Sequence, residues 1–320
     1  MSMIKSLAKN LPHPILLRVH HHYAYYRQAA AARTISRFTG LPLLETLDLS
    51  AVRTSDTVFI LGSGSSINEI PDWKWEIIGR HDTIAMNFWP VHPFVPSIYL
   101  FENIRPTEDL EVMFDALHGL LQRRASDYRK TVKIVTEFAP VKHRQLVLEI
   151  PDDFRQGLYL GYSANIAARN ESELVAGLRY MLKQGMFQRR NHIGRQFKCA
   201  GSVLAALSMA VSMGYRRIVL CGIDLRNAEY FYQDSRRYPE ESQWEFVPKT
   251  SLHMAARRLQ WLIPAQEVIV HLKREVLDAA HIELFVENRS SALFPRVPEL
   301  RFETLPQFAQ TASGEVPHQS

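Results

Sequence analysis

The chain is predicted to be an α/β protein: a mostly parallel, Rossmann-like sheet flanked by helices, with a small lid or subdomain insertion and a basic helical appendage at the N-terminus. Three observations predict this. Short apolar runs rich in β-branched residues alternate with helical patterns, which specifies βαβ units. Several of the runs end in Gly, Asn, Asp or Glu, as strands do where they enter a ligand crevice. Finally, 320 residues with 46% hydrophobic and 22% charged content fill one large core.

The elements follow in order. Residues 1–50 read as the appendage, with a helix from Ile15 to Phe38 that carries Tyr23, Tyr25, Tyr26 and an alanine run. The domain proper spans 51–305, and 306–320 is a polar tail. Thr57–Leu61 (TVFIL) is a buried strand. Strands follow at Asp82–Met86, Ser97–Phe101 and Thr131–Thr136, with a helix at Leu110–Gln122 between the last two. Glu171–Leu182 is an amphipathic helix with Leu174, Val175, Leu178 and Met181 on one face. Ala200–Met213 is a small-residue buried helix running through Gly214-Tyr215 into the strand Arg217–Leu220. A last helix over 252–262 leads into the apolar run Glu267–His271. The polar stretches 137–170 and 226–250 are where a lid or small subdomain fits.

Net charge is +5, and residues 1–40 hold Lys5, Lys9, Arg18, Arg27, Arg33 and Arg37 with no Asp or Glu. Such a segment suits an anionic partner such as a membrane surface, or is simply a solvated helix. Cys199 and Cys221 lie in apolar surroundings and read as reduced, buried thiols. His20, His21 and His22 are adjacent on a helix, point in different directions and make a poor metal site. No secretory signal or spanning segment is expected, so the protein is placed in the cytoplasm, with the inner face of the membrane left open.

The sharpest local signal is the loop after the first strand. Gly62 and Gly64 allow close backbone approach, and the amides and hydroxyls of Ser63, Ser65 and Ser66 are donors for phosphate oxygens. A plain tight turn is the alternative. A dinucleotide fingerprint needs a third glycine where Ile67 stands, which disfavours NAD or FAD. Asn87, Glu102 and Asn103 sit at successive strand ends. Gly201 and Ser202 open the long helix beside Arg189, Arg190, Arg195 and Lys198, an anion site or ordinary capping by Ser202. Asp224 ends the strand at Cys221-Gly222-Ile223. It would bind a ribose hydroxyl, hold a metal or cap its turn. Tyr230, Phe231, Tyr232 and Tyr238 follow in a loop able to close over a ligand. His253 is a base by type or a surface histidine.

Three segments resemble the bacterial sialyltransferases of glycosyltransferase family 42. They are Ile60–Ile70 with its Gly-Ser-Gly-Ser-Ser loop, Met86-Asn87-Phe88, and Gly201–Asp224 with its Ser-led helix, Gly-Tyr, basic pair and Gly-Ile-Asp. The resemblance covers roughly 57–103 and 199–262. It implies metal-independent, inverting transfer of sialic acid from CMP-sialic acid with a histidine as base. It places Ser63, Gly64, Asn87 and Ser202 against CMP, and Tyr232 at its phosphate. Ser63 and Arg226 depart from the family's asparagine and second donor-site tyrosine. A gapless alignment puts Thr250 at the base position, and a shift of three residues restores His253.

The expectation is therefore a glycosyltransferase that moves sialic acid or a Kdo-like sugar from a CMP-sugar to a surface glycan or glycolipid. Its catalytic residues would be His253 and Tyr232. Gly62, Ser63, Gly64, Ser65, Ser66, Asn87, Glu102, Gly201, Ser202 and Asp224 would bind substrate. No metal, no other cofactor and no nucleic acid are expected. The alternatives are a magnesium-dependent pterin-type pyrophosphokinase and a degenerate nucleotide-binding protein.

Overall fold

The computed structural model describes residues 12–48, 51–108, 110–166, 168–187, 195–226, 228–245, 254–256 and 263–305. Strands form at β1 (Thr57–Leu61), β2 (Asp82–Met86), β3 (Ile98–Glu102), β4 (Val132–Thr136), β5 (Leu158–Leu160), β6 (Tyr162–Ala164), β7 (Arg195–Phe197), β8 (Arg217–Cys221) and β9 (Glu283–Val286). Seven of them build one sheet in the order β5-β4-β3-β2-β1-β8-β9, and every neighbouring pair is parallel. β6 and β7 form a separate two-stranded parallel sheet.

The helices are α1 (His13–Thr39), α2 (Asp72–Ile78), α3 (Glu111–Arg123), α4 (Glu171–Lys183), α5 (Ser202–Met213) and α6 (Ala265–Leu272). All five residues of β1 and of β2 are buried, as strands covered on both faces must be. The period of two sends Val58 and Ile60 into one layer and Phe59 and Leu61 into the other. The first layer is filled by Leu174 and Leu178 of α4, Leu204 and Leu207 of α5, and Val268 and Ile269 of α6. The second takes Ile78 of α2, Phe114 and Leu121 of α3, and Ala29, Ala32 and Ile35 from the inner face of α1. The N-terminal helix thus contributes to the core directly.

Most element boundaries expected from the sequence shift by a residue or two. Two differences are larger. Residues 137–170, expected to hold a lid or small subdomain, contain two single helical turns, then β5, which completes one edge of the main sheet, and β6 of the separate two-stranded sheet. The β-branched run Glu267–His271 lies inside helix α6, because Pro264 starts the helix and Val268, Ile269 and Leu272 recur at helical spacing on the buried side. The helix expected over 252–262 lies outside the described residues except for Met254–Ala256, a 3-10 turn. No helix among the described residues is long and apolar enough to cross a membrane.

The topology positions the site. The chain steps outward from β1 through β2, β3 and β4 to β5, then returns to β8 on the opposite side of β1. Loops leaving the carboxyl ends of β1 and β8 therefore begin side by side at the switch point of the sheet, where ligand crevices form.

Candidate functional site

A cavity of about 490 Å³ lies at this crevice. Gly62, Ser63 and Gly64 line one side, with Gly222, Ile223 and Asp224 from the loop after β8. These two loops are bonded to each other. The Gly62 amide donates to Cys221 O at 2.8 Å and the Gly64 amide to Gly222 O at 2.8 Å. The Ser65 amide donates to Glu229 O at 3.2 Å. The Ser66 amide reaches Asp224 Oδ2 at 3.1 Å, and the Ser66 hydroxyl donates to Asp224 Oδ1 at 2.5 Å. Among the described residues, the Ser63 N–H is the one amide of residues 62–66 with no protein acceptor.

The expectation of a phosphate cradle built from the whole loop is corrected accordingly. Four of its five amides are already committed, and a cradle needs several free amides converging on one point. Ser66 is buried against Asp224, and neither Ser65 nor Ser66 lines the cavity. The expected N-terminal dipole is small too, because a five-residue 3-10 turn, Ser65–Glu69, follows the loop. The glycines themselves are demanded by loop-on-loop packing. A Cβ at Gly62 would lie 2.6 Å from Gly222 O, and one at Gly64 would lie 2.3 Å from Asp224 Oδ2. Asp224, in turn, caps this loop.

The opposite side is built from side chains. Asn87, at the end of β2, takes a left-handed φ of 52° and donates through Nδ2 to Ser202 Oγ at 3.3 Å. Ser202 Oγ donates to Glu102 Oε1 at 2.5 Å. Lys198 Nζ lies 3.0 Å from Glu102 Oε2 and 3.4 Å from Glu137 Oε1, and the Ser163 hydroxyl donates to Glu137 at 2.5 Å. Ser202 is not the N-cap of α5. It is the first helical residue, and Gly201 precedes it at φ 146°, a conformation that favours glycine. This turn spends the Ser202 hydroxyl on Glu102 and leaves it on the cavity wall.

Aromatic and apolar residues close the space. Tyr230 and Tyr232 stack with ring centroids 5.2 Å apart and planes 4° apart, and both line the cavity. Phe88 lies 6.0 Å from the Tyr232 ring. Of the other two aromatics expected in this loop, Phe231 is fully buried and Tyr238 packs on it, so neither faces the site. Burial pushes the Tyr232 hydroxyl well above the usual phenol range and raises Tyr230 as well. Both therefore remain proton donors at neutral pH. Among the described residues the lining carries the carboxylates of Glu102, Asp224 and Glu229 against the single ammonium of Lys198.

The structure thus brings Gly62, Ser63, Gly64, Asn87, Glu102, Gly201, Ser202, Asp224 and Tyr232 to one cavity. His253 and Thr250 lie outside the described residues, as do Arg189 and Arg190. Asn103, next to Glu102, is buried and bonded to Gln145 and Val147. Glu137 was missed by the sequence reading, although it follows β4 as Glu102 ends β3 and Asn87 follows β2. Cys199 and Cys221 are free and buried, and burial pushes the Cys199 thiol up to about 12. Among the described residues, no three His, Cys, Asp or Glu side chains are grouped to hold a metal ion.

No family model matches the chain, and no curated protein does. Among solved structures the chain is similar to the monofunctional alpha-2,3-sialyltransferase Cst-I from Campylobacter jejuni. The identity is 15% and the TM-score 0.42, over 78% of this chain and 83% of that chain.

Proposed function

We propose that this chain is a glycosyltransferase that moves an acidic sugar, sialic acid or a Kdo-like keto-acid, from a CMP-sugar to a surface glycan or glycolipid. The observation that carries the reading is the meeting of Ser63, Asn87, Ser202 and Tyr232 at one cavity on the switch point of a parallel sheet. These are the positions that the motif resemblance assigns to the donor, and they come from four separate segments of the chain.

In the proposed reaction the acceptor oxygen bonds to the anomeric carbon from the face opposite the nucleotide. The bond from that carbon to the phosphate oxygen breaks, and CMP leaves as a monoester. The buried phenols of Tyr230 and Tyr232 donate to the developing phosphate charge without losing their own protons, so no metal is called for. The first amides of α5 point the positive end of a 12-residue helix at the same space. The acceptor proton goes to a base, which we assign to His253. Two of the three lining carboxylates are already engaged: Asp224 by Ser66, and Glu102 by Ser202 and Lys198.

The test is a thermal-shift comparison of CMP with UDP, GDP, ATP plus magnesium, and NAD. CMP should give the largest shift, worth about 2.7 kcal/mol at a hundredfold excess over Kd. Equal or greater stabilisation by ATP with magnesium would sink the reading and favour a pyrophosphokinase.

A further inference from the structure

The outer face of α1 has a composition that its inner face does not explain. Leu17, Ala29, Ala32 and Ile35 point inward and are buried in the core. Turned away from them, Ile15, Val19, Tyr23 and Tyr26 are 48%, 53%, 63% and 64% exposed. Their spacings of four, four and three residues put them on one line along the helix. The same line continues through exposed Arg33 and Arg37, and exposed Arg18 and Arg27 flank it. One end of this face is thus apolar and aromatic, and the other end is cationic.

The charge is not matched by acidic side chains nearby. The chain has no Asp or Glu before Glu45. Among the described residues no carboxylate pairs with Arg18, Arg27, Arg33 or Arg37, and Arg27 lies 6.0 Å over the Tyr23 ring. An apolar row left in water beside a block of unneutralised cations marks a surface that meets something both apolar and anionic.

We propose that the outer face of α1 docks on an anionic lipid bilayer. The helix would lie along the surface, with Ile15, Val19, Tyr23 and Tyr26 entering the headgroup boundary and the arginines on lipid phosphates. Tyrosine suits that depth, because its ring is apolar and its hydroxyl stays wet. A second copy of the chain fits the face poorly, since it brings the same arginines and no counter-charge. A nucleic-acid backbone would meet the arginines but offer nothing to Ile15 and Val19. The docking is independent of the proposed transfer reaction: it stands if no CMP-sugar is used, and failure of one leaves the other untouched.

The experiment is cosedimentation of the full chain with two kinds of vesicle: phosphatidylcholine alone, and an equimolar mixture with phosphatidylglycerol. Binding to the mixed vesicles and not to the neutral ones is expected, weakening as salt rises. Each arginine removed should weaken it about fivefold, so Arg33→Ser with Arg37→Ser should cost about twenty-five-fold. Val19→Ser with Tyr23→Ser should also release the protein. All four positions are exposed, so the variants should keep the wild-type melting temperature, and the single variants serve if a double one does not. Equal binding to both vesicle types would overturn the proposal. So would loss with the arginine pair while Val19→Ser, Tyr23→Ser binds normally, which would leave a charge contact alone. A dimer in sedimentation velocity that Tyr23→Glu abolishes would assign the face to a second copy instead.

Discussion

The two sides of the cavity are built on opposite plans. Where β1 and β8 end, the loops are joined backbone to backbone, and their glycines, amides and Asp224 serve that junction. Where β2, β3 and α5 meet, the wall is a chain of side chains that runs from Asn87 through Ser202, Glu102 and Lys198 to Glu137. The first side is architecture with one spare amide; the second presents groups that can re-pair with a ligand. A glycine-rich loop after a strand is therefore no proof of a phosphate cradle. Its amides must first be shown to be free.

The comparison is broken or kept most sharply at Gly64. A Cβ there meets Asp224 Oδ2 at 2.3 Å and Gly222 O at 2.7 Å, and Gly222 is backbone that cannot swing aside. Gly64→Val should cost about 3 kcal/mol of folding stability, at the upper end of the usual range for overpacking. Urea denaturation reads this directly. Wild-type stability together with lost CMP binding would show that the glycine serves the ligand, and the division between the two sides would fail.

Asp224→Asn probes the same junction with less force. The carboxylate accepts from both the amide and the hydroxyl of Ser66. An asparagine can still pair both groups, its Oδ1 accepting from the amide and its Nδ2 donating to the hydroxyl, but it turns two charge-assisted bonds into neutral ones, which should cost about 2 kcal/mol. Ser66→Ala should cost less, because it leaves the amide bond in place. If Asp224→Asn melts like the wild type but binds CMP poorly, Asp224 belongs with the ligand-facing side.

How much of this was legible in the sequence differs between core and site. TVFIL, DTIAM and RIVL announce themselves because a strand buried on both faces is dominated by apolar residues, and polar or glycine residues bound it. β5, β6 and β7 have three residues each, too few for a period to show. Glu267–His271 reads only as an apolar run because Val, Ile and Val favour strands, whereas packing in the layer of α4 and α5 decides for helix. At the site, the strand-end rule finds Asn87 and Glu102 and, applied to β4, also finds Glu137. The pairing of Lys198 with both glutamates needs the crossing of β3, β4 and the turn before α5, which is tertiary information. So is the fact that the amides of the glycine loop are spent.

The smallest expected effect is also the one that best sharpens the comparison, because it has a sign. Glu102 and Lys198 are partly exposed partners, so breaking the pair should change stability by less than about 1 kcal/mol. Their effects on an anionic nucleotide should be opposite. Glu102→Gln removes a like charge from the wall while keeping an amide for Ser202 to contact. Near water-like screening, one charge within a few ångströms is worth about 1 kcal/mol, so CMP should bind about fivefold tighter. Lys198→Met removes the attracting charge and should weaken CMP by a similar factor. Calorimetric titration of both variants, at low and at high salt, measures the two shifts and their screening. Shifts of the same sign, or none, would mean that this cluster holds the wall together and does not face the ligand. A hundredfold loss of turnover in Glu102→Gln with CMP still bound would go further, since general-base catalysis is worth about that much or more. It would move the proton acceptor from His253 to the end of β3, and the side-chain wall would become the reacting side of the cavity.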